Sequence, residues 1–590
     1  MLLQTILLGF LAPVAAAQTE TTCQPGSIPT DTPAPQLKLP WGIWTATCYQ
    51  PDNQIFLFKN VRFGAVPQRF GRSITPDWLD DTVQEITQDI SCIQLNTSQL
   101  HEPPGGTPTI GNPRSSAEMQ CEDCLYLDIY VPVSAFQSEA KLLPVVVWFY
   151  GGGFALGSKN PMGPIYTGQS ILNASNYQTI FIAGNYRLGA FGWLAGDYMQ
   201  AAGQPNAGFY DQALLLEWVR DYVHLIQGDK ARVSAWGESA GAGSILHHLI
   251  REDGEHDPLF NTFVVQSPAF QWAWDNSPDG ELDNNYRTFS NFSGCGYDYN
   301  IDCLRDAALE DLILANQELF GQVRLKGFFP VGPAVDGVWI KSIPAVRFSQ
   351  GYYWRGIQSA IISHCANESH SFTPNITTQD EFNAYIDEFL PGPSLEDQRV
   401  AIKERYNCAV RFSGDFRRCL ATVIQDSMFT CNTRDMFEAY PDISYMMQYA
   451  FPIAEFAYHA TDLVPLFTNN KSEVEKIAGR AYAVAMGEQI PRIYKNYFAS
   501  FAITGNPNKG LAEPEVIWPI ADGSSDRLSG VMNVSWAFWF PPLEFRLITD
   551  NQNAKSTCSF WTEIAKDIAL PQVVIDSQER VPFTMGPGEL

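Results

Sequence analysis

Arg232-Val-Ser-Ala-Trp236, Gly237-Glu238-Ser239-Ala240-Gly241 and the Ala-, Leu- and His-rich run from Ala242 to Ile250 decide how this chain is read. The first segment has strand character, and the last reads as a helix. Between them stands G-x-S-x-G, the signature of a sharp strand-to-helix turn that lifts a serine into the open. Only small residues fit beside such a turn, hence Gly237 and Gly241. The helix that follows presents its N-terminus to developing negative charge. Ser239 is therefore the candidate nucleophile.

A serine that attacks a carbonyl needs donors for the oxyanion that forms. Upstream, Pro144-Val-Val-Val-Trp-Phe-Tyr150 has a buried-strand pattern and ends in Gly151-Gly152-Gly153-Phe154. Glycines let backbone N–H groups approach a ligand without an intervening side chain. Gly152 and Gly153, with Ala240 after the serine, are the expected oxyanion donors.

With these residues in view, the chain resembles the type-B carboxylesterase/lipase family, which includes cholinesterases and fungal lipases. Gly237 to Gly241 matches one family signature, and Glu122-Asp-Cys-Leu-Tyr-Leu-Asp-Ile-Tyr-Val-Pro132 matches the other. Asn185-Tyr-Arg-Leu-Gly-Ala-Phe-Gly192, Asn206-Ala-Gly-Phe-Tyr-Asp-Gln212, Thr504-Gly-Asn-Pro-Asn508 and Trp518-Pro519 also fit, so the resemblance runs over roughly residues 40 to 560. It implies an α/β-hydrolase fold: a large, mostly parallel, twisted sheet with helices on both faces. No internal repeat, long linker or charge block divides the chain, so residues 18–590 are expected to form one domain.

The base is sought among eight histidines. In this fold the order is Ser, acid, His. His101 and His224 precede the serine. His247 and His248 lie on its own helix, about 12 Å along, and His256 leaves little room for an intervening acid. His364, His370 and His459 remain. Gly356-Ile-Gln-Ser-Ala-Ile-Ile-Ser363 reads as a strand running into His364-Cys-Ala-Asn-Glu368, and the resemblance aligns Glu368 with the family acid. His364 lies too near the strand, and His370 cannot easily fold back on its neighbour. His459, in Ala457-Tyr-His-Ala-Thr-Asp-Leu463, resembles the family histidine segment. The triad expected is Ser239, Glu368 and His459. Asp336, a rival acid, reads better as a turn residue.

Other matches imply structural roles. Arg62 is matched to the family arginine that pairs with Glu122, and Arg187 with Asp211 resembles a second buried ion pair. By resemblance, Cys92 pairs with Cys124 and Cys295 with Cys303; Cys121 competes with Cys124. No pairing is assigned to Cys23, Cys48, Cys365, Cys408, Cys419, Cys431 or Cys558. Phe154 and the Trp536-Ala-Phe-Trp539 cluster are candidates for an acyl pocket.

Met1 to Ala17 is an apolar stretch leaving through small residues, read as a secretory signal peptide. Twelve cysteines and seven N-x-S/T sequons agree with that route. Asn96, Asn173, Asn291, Asn375, Asn470 and Asn533 are expected acceptors. Asn367 is expected to be unmodified, because a glycan beside a buried Glu368 would count against that assignment. Export to the medium is expected, with the cell wall or a vacuole as alternative ends of the same route.

Composition narrows the partners. The 590 residues are 45% hydrophobic, and Lys+Arg 38 against Asp+Glu 64 gives a net charge of −26. Such a field repels nucleic acid and anionic membranes. No later segment is long and apolar enough for stable membrane insertion. The motifs require no metal and no organic cofactor; the expected partner is a small-molecule ester, and no oligomeric state is assigned. The segment His101 to Gln120 holds no aromatic residue, which disfavours a choline ester. Its Pro, Gly, Ser and Thr content disfavours an amphipathic lipase lid. The expected activity is serine carboxylic-ester hydrolysis of a soluble, short-chain or specialised ester. Triacylglycerol lipolysis and acyl transfer in secondary metabolism are the alternatives. Non-catalytic adhesion relatives lose the serine or histidine, and both stand here.

Overall fold

The computed structural model describes residues 34–49, 52, 54–85, 88–96, 118–137, 140–160, 167–323, 328–511, 514–536 and 545–573. The leader at 1–17, most of the 101–120 segment and Trp539 lie outside the described residues.

The central sheet contains eleven described strands. In chain order they are β1 (Thr47–Cys48), β2 (Ile55–Arg62), β3 (Tyr126–Pro132), β4 (Leu143–Phe149), β5 (Ile180–Gly184), β6 (Gly228–Glu238), β7 (Thr262–Gln266), β8 (Ser359–Cys365), β9 (Ser444–Tyr449), β10 (Val531–Val534) and β11 (Phe545–Ile548). Across the sheet the order is β11-β10-β9-β8-β7-β6-β4-β5-β3-β2-β1. The run from β5 to β10 is parallel, and antiparallel strands close both ends. This is the mostly parallel α/β architecture expected.

The central strands are continuous apolar runs because helices cover both faces. Alternation along β4 shows it: the Trp148 ring meets Phe467 on one side, whereas Phe149 meets His248 on the other. Leu143–Phe149 is buried from Pro144 onward, with Val145, Val146 and Val147 inaccessible. On the His248 face lies α1 (Ala240–Leu249), which leaves β6 directly; on the opposite face α2 (Gln489–Thr504) sets Phe498 against Trp236.

Four disulfides are present among the described residues: Cys92–Cys124, Cys295–Cys303, Cys408–Cys419 and Cys431–Cys558. Cys121 instead donates its thiol to the Asp123 carbonyl at 3.1 Å. Arg187 and Asp211 form a buried bidentate pair, Nε–Oδ2 2.8 Å and Nη2–Oδ1 2.7 Å. The Arg62 expectation is corrected. Arg62 pairs with Asp123, Nη2–Oδ2 2.7 Å, and Glu122 takes Arg69 instead. Arg69 reaches Glu122 because its other amino group is spent on the carbonyls of Leu304, Arg305 and Ala307, which anchor it from a distant part of the chain. A second correction concerns Asn533. It is 3% exposed in β10 and donates to Gln448 Oε1, so no room exists there for a glycan.

Candidate active site

Parallel strands deliver their following loops to one edge, where open α/β sheets build sites. Ser239 follows β6, Glu368 lies three residues beyond β8, His459 comes after β9, and the glycine turn follows β4.

The turn at Ser239 is tight in the way its glycines suggest. Ser239 has φ 56° and ψ −127°, a strained conformation for a residue with a Cβ. Its N–H donates to the Gln266 carbonyl at 2.9 Å, and its own carbonyl accepts from Gly243 at 2.8 Å and Ala269 at 3.1 Å. The Gly151-Gly152-Gly153 turn presses against it: a Cβ at Gly151 would stand 2.8 Å from Ser239 Cβ. Gly152, Gly153 and Ala240 border the same cavity as Ser239.

The three polar residues singled out from sequence converge. His459 Nε2 lies 2.7 Å from Ser239 Oγ, and His459 Nδ1 lies 2.6 Å from Glu368 Oε2. Glu368 is wholly buried, and its other oxygen accepts the Cys365 N–H at 2.5 Å. Asn367 stitches the acid loop to the histidine loop: its N–H donates to the Ala457 carbonyl at 3.0 Å, and its amide donates to the Glu455 carbonyl at 2.8 Å. The rejected candidates have other partners. His364 is sealed beneath the loop, 2.8 Å from Asp550 Oδ2, and the His370 ring lies tilted against Tyr458, centroids 4.5 Å apart. Asp336 accepts the N–H groups of Val338 and Ile340 within its turn.

Several neighbours escaped the reading of the sequence. Glu238, the x of G-x-S-x-G, brings Oε1 to 3.2 Å from His459 Nε2. Asp462 accepts the Gln266 amide at 2.7 Å. Burial raises the Glu238 carboxyl well above the usual carboxylate range, against the pull of His459. Burial also lifts Asp462, to about 6. Burial alone would depress His459, but Glu238 and Glu368 outweigh it and raise the imidazole above its ordinary value. Phe372 and Phe429 close on the same ring edge-on, with centroids at 5.2 and 5.0 Å. Phe429 belongs to the π-helical turn Asp426–Thr430, a local irregularity that no apolar periodicity announces.

The cavity holds about 640 Å³ and is largely apolar, with Phe154, Phe270, Trp272, Phe328, Phe329 and Met428 among its walls. Of the proposed pocket aromatics, Phe154 lines it; Trp536 is described but exposed.

A serine hydroxyl aligned on an imidazole at the carboxyl edge of a parallel sheet is the layout of the α/β-hydrolases. The comparisons agree in both fold and sequence. The chain matches the Carboxylesterase family over residues 44–535 and belongs to it. A protein named Secreted lipase from Arthroderma benhamiae is 37% identical over 457 residues, which are 76% of this chain and 83% of that protein. Carboxylesterase patB from Aspergillus clavatus is 29% identical over 81% of this chain and 89% of its own. The crystal structure of EstA from Aspergillus niger superposes with a TM-score of 0.71 at 23% identity, covering 91% of this chain and 99% of that one. The protein is a carboxylic ester hydrolase that acts on a small-molecule ester.

Proposed function

We propose that Ser239 is the nucleophile, His459 the general base and acid, and Glu368 the carboxylate that orients the imidazole. The observation that carries this is the continuous hydrogen-bonded line Ser239 Oγ–His459 Nε2, His459 Nδ1–Glu368 Oε2, at 2.7 and 2.6 Å. His459 takes the hydroxyl proton as Ser239 Oγ attacks the ester carbonyl. The tetrahedral oxyanion is held by the N–H groups of Gly152, Gly153 and Ala240. The proton then passes from His459 to the leaving alcohol, and an acyl-enzyme forms. Water, deprotonated by His459, attacks that intermediate, and collapse releases the acid and restores Ser239. Glu368 holds the tautomer and stabilises the transient imidazolium.

The substrate in this reading is a soluble ester with a short or specialised acyl part, met outside the cell. Residues 1–17 act as a removable leader and 18–590 as one domain. Relatives named as secreted support the location, and among the described residues no helix is long and apolar enough to cross a membrane. The apolar walls of the cavity favour lipolysis as the second reading, because several relatives bear the name lipase. Hydrolysis of p-nitrophenyl esters from acetate to palmitate, with Ser239→Ala alongside, separates the two. Activity greatest on short chains and absent in the variant is the expected result. Rates rising toward palmitate favour lipolysis, and wild type as inactive as Ser239→Ala on every ester overturns the assignment.

A further inference from the structure

Gln271, Glu281 and Asn285 line the cavity together with Ser239 and His459, and the ester chemistry makes no use of their polar heads. Glu281 and Asn285 are one turn apart on the helix Glu281–Phe292, so they share a face. Gln271 Oε1 accepts the Phe329 N–H at 2.9 Å, and Asn285 Nδ2 donates to the Pro330 carbonyl at 2.8 Å. Those two bonds pin the Phe329-Pro330 wall and leave the Gln271 amino group and the Asn285 carbonyl oxygen with capacity to spare.

Glu281 opens this helix, where an acid often serves only the helix end. Here that service is done by others. Asp275 Oδ2 accepts the Glu281 N–H at 3.1 Å, and the Asp275 carbonyl accepts the Leu282 N–H at 3.4 Å. The Glu281 side chain is exposed to solvent at the cavity wall, and the protein packed around it, with Asp275 nearby, raises its carboxyl. Water satisfies this carboxylate while the cavity is empty, and a substrate that displaces the water must supply a donor in its place. An alkyl chain laid against it satisfies nothing.

We infer that Glu281, flanked by Asn285 and Gln271, is a specificity-determining residue that accepts a hydrogen bond from a hydroxyl or protonated amine on the substrate. The preferred esters then carry such a donor on the portion that enters this cavity, and plain fatty esters are handled less well. The inference rests on the ester-hydrolase site proposed above and names its substrate class more closely.

The test uses the full chain and matched p-nitrophenyl esters: 6-hydroxyhexanoate and 6-aminohexanoate against heptanoate, and 8-hydroxyoctanoate against nonanoate. The acetates of 4-aminobutanol and pentanol probe the alcohol side. The readout is the ratio of kcat/KM within each pair, so a folding defect common to both members cancels. Wild type should favour the donor-bearing member by about 10- to 100-fold in at least one pair. Glu281→Leu should bring that ratio to about one. Glu281→Gln should retain most of it for hydroxyl and lose most of it for amine if an ammonium is the better partner. Ratios near one throughout for wild type, or a ratio unchanged in Glu281→Leu, overturn the inference. Serine-dependent hydrolysis of p-nitrophenyl acetate in the same preparation shows that the ester-hydrolase reading survives that failure; its absence shows that the underlying reading has failed instead.

Discussion

Gly241→Ala asks whether the small residues around the serine are required by space. A Cβ at Gly241 would stand 2.0 Å from the Phe149 carbonyl oxygen, 2.6 Å from its carbon and 2.8 Å from the Tyr150 oxygen. All three are backbone atoms at the end of β4, where no rotamer change can give way. Ordinary contact begins near 3.4 Å, so the new methyl group demands a displacement of about 1.4 Å. Overpacking of this kind costs about 1–3 kcal/mol, and immovable backbone places it near 3. The displacement separates the Ser239 turn from the Gly151–Gly153 turn, and misplacement by about 1 Å costs roughly 100-fold in rate. Urea denaturation and kcat/KM on p-nitrophenyl acetate measure the two losses. Gly332→Ala is the control, since its nearest neighbour, Phe154 Cδ2, stands 3.9 Å away; its stability should stay within about 0.5 kcal/mol of wild type. If Gly241→Ala matches wild type within about 0.5 kcal/mol and threefold in kcat/KM, the steric account of the turn is wrong.

The remaining predictions concern stability and proton balance. Cys431–Cys558 closes a separation of 127 residues and Cys295–Cys303 one of 8. Chain entropy assigns about 5 and about 2.5 kcal/mol to them, so the paired Ala variants should differ by about 2.5 kcal/mol in denaturation. Arg187→Met leaves Asp211 buried without its partner and should cost about 3–5 kcal/mol; adding Asp211→Leu should recover part of that loss. His459 must be neutral to accept the Ser239 proton, and its raised pKa means that it holds a proton to higher pH than a free imidazole. Activity should therefore rise with pH through a value above about 6.5. Glu238→Gln removes one of the carboxylates that raise it, and the limb should move to lower pH; a limb unmoved or moved upward contradicts this electrostatic account.

How far the sequence could be read depended on whether a feature was local. Val145 to Phe149 and Arg232 to Leu249 carry their strand–turn–helix pattern within a few residues, so β4, β6 and the serine elbow were legible. The proposed triad needed more, because Ser239, Glu368 and His459 come from three segments; strand order and the family likeness supplied what periodicity could not. The Arg62 assignment failed because Glu122 and Asp123 are adjacent acids and Arg62 and Arg69 are both within reach. The choice between them is made by Leu304, Arg305 and Ala307, whose carbonyls come from far along the chain. The sequon at Asn533 says nothing of β10 being buried. Glu238 was visible beside the serine, but its closeness to His459 is a product of the turn geometry.

Fluorophosphonate labelling tests the central claim most directly, because the reagent phosphonylates an activated serine and stays there. Intact mass and peptide mapping should find one adduct per chain, on Ser239, with ester hydrolysis falling in step with labelling. Ser239→Ala should take up none. A stoichiometric adduct on another residue, or hydrolysis that persists once Ser239 is labelled, would contradict the account.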